Sequence, residues 1–176
     1  MAFCRFASIC LLALLTSCGR SRTGSVNDAE CVPTTGGDFA HRSYPSPLST
    51  EQAKIILVCT TNFEIGMWPP KRQGQAFNVL YRRSDALQQF QAVATRGGPA
   101  GRLYAFAAFE ALSPEAARTL KDELLSDKRP VLFQDNDQSL GIHYAGELIP
   151  IIHDRHLADE FRRNESAIDS YFRAPR

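Results

Sequence analysis

Residues 99–112, Pro-Ala-Gly-Arg-Leu-Tyr-Ala-Phe-Ala-Ala-Phe-Glu-Ala-Leu, are apolar almost all the way round a helical wheel, through Leu103, Tyr104, Phe106, Ala107, Phe109 and Leu112. A helix with no polar face has to be enclosed by other elements, so a chain that carries one folds around it. The flanks supply candidate neighbours. Upstream, Ser84 can cap a helix over 85–96 whose Leu87, Phe90, Val93 and Ala94 form an apolar stripe, and Gly97-Gly98 are expected to end it in a left-handed C-cap. Downstream, Ser113-Pro114-Glu115 offers an N-cap hydroxyl, a proline at the first helical position and a first-turn acid. That helix is predicted to run to about Leu125 with Ala116, Ala117, Leu120 and Leu124 inward. Helices joined by such short punctuation pack as antiparallel neighbours.

The folded body is predicted to span 49–172. It begins where Ser49 and Gln52 have the spacing of a capping box, opening a helix over 50–61 with Ala53, Ile56, Leu57 and Thr60 on one face. The run Ile55-Ile56-Leu57-Val58-Cys59 would equally suit a buried strand. Residues 62–74, with Trp68 beside Pro69-Pro70, read as a loop, and 75–83 as a helix presenting Phe77, Leu80 and Tyr81. After Pro130 the pattern changes. Residues 131–152 mix β-branched and aromatic residues with Gly141, Gly146 and Pro150, which predicts two or three short strands or an irregular insertion. Helix returns over 156–164 through Leu157 and Phe161, and residues 168–172 can extend it. The expected fold class is therefore mainly α, a small antiparallel stack or orthogonal bundle of helices with a β or irregular insertion near 131–152. The helices over 99–125 are loosely similar to short helical-repeat modules of the HEAT type, in architecture only, because no internal repeat of fixed period is present.

Ahead of the body the sequence changes character twice. Residues 18–48 are rich in Gly, Ser, Thr, Asn, Asp and Pro and show no period, so they cannot bury enough apolar surface to offset their ordering entropy and read as a tether. Residues 1–17 carry one positive charge, Arg5, and an apolar run from Ala7 to Leu15. That run makes a helix of only ~14 Å against ~30 Å of hydrocarbon, too short to span and suited to an export signal. An ordinary secretory cleavage site wants small residues at the last and third-last positions, which Ser17 satisfies and Leu15 does not. Leu15-Thr16-Ser17-Cys18 instead resembles the lipobox of bacterial lipoproteins. The resemblance implies cleavage before Cys18, a diacylglyceryl group on its sulfur and often a fatty acid on its new amino group. Two or three acyl chains anchor a protein to a membrane for good. Gly19 stands where, by the same resemblance, an aspartate would signal inner-membrane retention, so the expected location is the periplasmic face of the outer membrane.

Cleavage also changes two counts. The formal charge of +1 falls to zero, because residues 1–17 contain one arginine and no acid. A balanced charge gives no electrostatic reason to expect nucleic acid as a partner. Of five cysteines, Cys4 and Cys10 leave with the signal and Cys18 carries lipid, so Cys31 and Cys59 remain. In an exported compartment that even remainder suggests a disulfide, although Cys59 would also serve as a small buried hydrophobe.

Candidate chemistry is sparse. His153-Asp154-Arg155-His156, with His143, Glu147, Asp135 and Asp137 upstream, has the residue types for metal binding or acid and base work. Its spacing matches no zinc-protease pattern, and Asp154 or His153 capping a last helix, with Arg155 in solvent, explains it as well. There is no Gly-x-Ser-x-Gly elbow, and the Gly97–Gly101 run lacks the lysine of a phosphate loop. Trp68, with Lys71 and Arg72 close behind, has the composition of a partner-binding anchor, or else folds back over the core. The sequence therefore points to a lipid-anchored envelope protein that binds a protein partner as an assembly, inhibitor or immunity factor, without metal or cofactor. The alternative is a periplasmic hydrolase or metal-binding protein that uses His143, His153 and His156.

Overall fold

A computed structural model describes residues 31, 48–66, 72–135 and 139–163. Along the chain run α1 (Thr50–Cys59), β1 (Asn62–Ile65), α2 (Arg72–Tyr81), α3 (Ala86–Arg96), α4 (Pro99–Leu112), α5 (Pro114–Ser126), β2 (Pro130–Asp135), β3 (Ser139–Tyr144) and α6 (Ala145–Arg155). Residues 157–163 add a last helical stretch. The fold is mainly α with a small sheet.

Helix α4 is the centre that its composition predicts. Ala100, Gly101 and every residue from Leu103 to Phe109 are buried, and the helix touches α1, α3, α5, α6, β1 and β2. Only its last turn emerges, where Leu112 is exposed. Ser113 then starts α5, its hydroxyl accepting from the Ala116 N–H at 3.4 Å, and Ala117, Leu120 and Leu124 face inward. Helix α1 opens with both bonds of the capping box, Gln52 N–H to Ser49 Oγ at 3.2 Å and Ser49 N–H to Gln52 Oε1 at 2.9 Å. It stops at Cys59 rather than 61, because the chain leaves helical geometry to enter β1.

The helix ends differ from expectation at α3. Asp85, not Ser84, is its N-cap, and the Asp85 side chain makes no capping bond. Its carboxylate accepts from Arg83 and Gln89 instead. Gly97 is not left-handed either, with φ −76° and ψ 154°. A Cβ at Gly97 would sit 2.6 Å from the Val93 carbonyl oxygen, so close approach, rather than positive φ, is what calls for glycine there.

The sheet has the order β1-β2-β3. β1 runs parallel to β2, with Phe63 opposite Phe133, and β2 antiparallel to β3, with Leu132 opposite Ile142. Parallel neighbours need a long crossover, which α2 to α5 provide. Two expectations are corrected here. The 62–74 loop contributes β1, whose Phe63, Glu64 and Ile65 are buried. Residues 145–152 are helical, not part of the insertion, because Ala145, Leu148, Ile149 and Ile152 fall on one helical face and are all buried. That burial outweighs the local cost of Pro150 within the helix.

Cys31 and Cys59 are joined by a disulfide with their Cα atoms 5.2 Å apart. At a sequence separation of 28, closing that loop in the unfolded chain is worth ~3.5 kcal/mol in the chain-entropy model. The bond fixes Cys31 to the end of α1. Among the described residues, no helix is long and apolar enough to cross a membrane.

Candidate interaction surface

In a strand successive side chains point to opposite faces, and at β3 the outer face is open. Phe63, Ile65, Val131 and Phe133 are buried in the core, where Phe63 stacks on Phe133 at a ring separation of 6.2 Å. His143 closes this inner face, its ring edge-on to Phe133 at 5.4 Å. The outer face of β3 holds Leu140, Ile142 and Tyr144, which are 67%, 76% and 46% exposed. Across from them on β2 lie Gln134, Leu132 and Pro130. Single exposed hydrophobics are ordinary, whereas three in line on one strand make an apolar stripe, the kind of surface that marks an interaction site.

The two edges of the sheet are treated differently. On β1, the Glu64 N–H donates to the Tyr104 hydroxyl at 3.0 Å, and that hydroxyl in turn reaches the Glu64 carbonyl oxygen at 3.4 Å. Tyr104 comes from α4 and is wholly buried, and burial pushes its phenol pKa well above the ordinary value. A helix side chain thus closes the β1 edge. On β3 no described element pairs with the outer edge, and the strand Ser139-Leu140-Gly141-Ile142-His143-Tyr144 contains no charged residue and no proline. Proteins usually guard an open edge with such residues.

The histidines do not converge. His143 lies on β3 with its Nδ1 3.4 Å from Glu147, whereas His153 and His156 lie at the far end of α6, a helix of 11 residues and so ~16 Å long. His153 Nδ1 is 2.8 Å from Glu110 Oε1 at the mouth of a cleft of about 540 Å³ between α4, α5 and α6. Phe106, Ala107, Ile149 and Leu157 lie in that cleft, and the described residues lining it include no serine, threonine or cysteine. A carboxylate–imidazole pair there has no side-chain hydroxyl or thiol to activate. Among the described residues, no three His, Cys, Asp or Glu side chains are grouped so as to hold a metal ion.

The neighbouring residues have structural roles that the sequence pattern does not show. Neither His153 nor Asp154 caps a following helix, since both belong to α6, and His156 ends α6 with φ 49° and ψ 56°. Arg155 is not in solvent but pairs with Asp135 and Glu160, each at 2.9 Å, tying α6 to β2 and to the last helical stretch. A second, larger groove of about 1060 Å³ runs past the disulfide and is lined by Arg102, Glu123 and Arg129 among others. Arg102 pairs with Glu123 and Asp127, and Arg129 hydrogen bonds hold the Asp127 carboxyl below the usual carboxylate range.

Of the expected partner anchor, Arg72 is the exposed first residue of α2, and Trp68 and Lys71 lie outside the described residues, as do Cys18 and Asp137. The β3 stripe was not anticipated; the alternation Leu140, Ile142, Tyr144 was the available signal. No family model matches the chain, and no curated protein or solved structure matches it.

Proposed function

We propose that this chain is a lipid-anchored protein of the bacterial cell envelope that binds a protein partner, without catalysis, through the outer face of its sheet. The observation that carries the reading is the stripe of Leu140, Ile142 and Tyr144, the most exposed of them 76% accessible. Covering one large aliphatic side chain contributes ~1.5–3 kcal/mol, so this stripe offers a partner several kcal/mol of binding free energy at no cost in internal packing. Leu132, half-buried between the strands, extends the surface toward β1. The composition of the Trp68, Lys71 and Arg72 segment supports a second contact.

The anchor rests on the lipobox at Leu15 to Cys18, and Gly19 favours the periplasmic face of the outer membrane. An assembly factor and an inhibitor or immunity factor both fit this arrangement, since each needs position and a binding face rather than a reactive centre. The test is co-purification from detergent-solubilised membranes, comparing wild type with an Ile142→Glu/Tyr144→Glu variant. Both positions are exposed, so the circular dichroism spectrum should be unchanged while the partner is lost. A partner retained at wild-type level by the folded variant would overturn the sheet face, and a Cys18→Ser chain still cleaved and released would overturn the anchor.

A further inference from the structure

We infer that two copies of this chain pair through the open edge of β3, antiparallel and centred on Ile142, so that their stripes merge into one continuous apolar platform. The inference rests on the protein-binding reading of the sheet face and names part of its architecture.

Three observations favour a second copy as the occupant of this edge. The first is the contrast between edges: Tyr104 satisfies the Glu64 N–H and closes β1, while among the described residues no element pairs with the outer backbone groups of β3. An open row of N–H and C=O groups is a template for another strand. The second is self-complementarity. A two-fold axis normal to the sheet at Ile142 places Ile142 opposite its own copy, Leu140 opposite Tyr144, and Gly141 opposite His143. Each cross-strand pair on the outer face is then apolar with apolar, a combination that contributes ~0.2–1 kcal/mol beyond alanine. The third is charge. The strand carries no charged side chain, and the whole chain has a formal charge of only +1, so neither local nor global repulsion keeps copies apart.

A six-residue edge is a short contact beside the ~1,200 Å² that a specific soluble complex buries. Copies anchored to one membrane meet at raised effective concentration, which offsets that shortfall. Pairing uses backbone groups at the edge and leaves the outer face available to a partner.

The experiment places single cysteines on β3 of the full-length lipidated chain in phosphatidylethanolamine/phosphatidylglycerol vesicles, followed by mild oxidation and non-reducing electrophoresis. Directly opposed strand residues lie ~4.5–5.5 Å apart between Cα atoms, within disulfide reach. Ile142→Cys is expected to give mostly a species of twice the mass. Leu140→Cys alone should stay monomeric, because its copy lies about four strand residues, ~13 Å, away, but should cross-link when mixed with Tyr144→Cys. A monomeric Ile142→Cys, or equal cross-linking at Leu140→Cys alone and Ile142→Cys, overturns the pairing. If that happens while Ile142→Glu/Tyr144→Glu still loses its partner, the pairing alone fails and the binding face stands.

Discussion

Gly101 sets how closely α4 can lie against α1. A Cβ there would stand 2.3 Å from the Leu57 carbonyl oxygen and 3.3 Å from its carbon, both backbone atoms that cannot rotate away. Gly101→Ala must therefore push two helices of the core apart, and overpacking of this kind costs ~1–3 kcal/mol or more. Urea unfolding should show the free energy of unfolding falling by that amount, whereas a loss under ~0.5 kcal/mol, as on an open surface, would contradict the close crossing. The sequence marked this glycine only as one of a Gly97–Gly101 turn. Local pattern cannot reveal a contact with Leu57, some forty residues earlier. The same limit hid Arg155, whose partners Asp135 and Glu160 come from two other elements.

Elements with their own boundary chemistry were legible. Ser49 with Gln52 and Ser113 with Pro114 opened α1 and α5 where the local rules put them, and the apolar periodicity of 85–125 identified the central helices. Two elements were not legible, for different reasons. β1 has only four residues, Asn62-Phe63-Glu64-Ile65, too short a polar–apolar alternation to stand out beside Trp68 and the prolines that mark a loop. α6 did carry a helical signal, Ala145, Leu148, Ile149 and Ile152 at i, i+3, i+4 and i+7, with Glu147 accepting the Tyr144 N–H at 3.2 Å. Pro150 and the β-branched residues masked it. At this scale the Tyr104 hydroxyl is the device that ends the sheet at β1. Tyr104→Phe leaves the buried Glu64 N–H without that acceptor, at ~1–3 kcal/mol, and should lower thermal stability measurably. A variant as stable as wild type would mean that the edge is satisfied in another way.

For the whole molecule, the parts assemble into a scaffold with one face left over. The disulfide holds Cys31, midway along the expected tether, against α1, and α4 binds the helices to the inner side of the sheet. The outer side keeps Leu140, Ile142 and Tyr144 in water although the core below is closed. An aromatic beside basic residues, as at Trp68, Lys71 and Arg72, is visible in one dimension, while the openness of a strand edge is visible only once β1, β2 and β3 are ordered. The central claim is tested most directly by placing a photoreactive side chain at Ile142 and, separately, at His153, and irradiating growing cells. Covalent adducts with other proteins are expected at Ile142 and none at His153; adducts at His153 with none at Ile142 would contradict the sheet-face reading and move the site to the Glu110–His153 cleft.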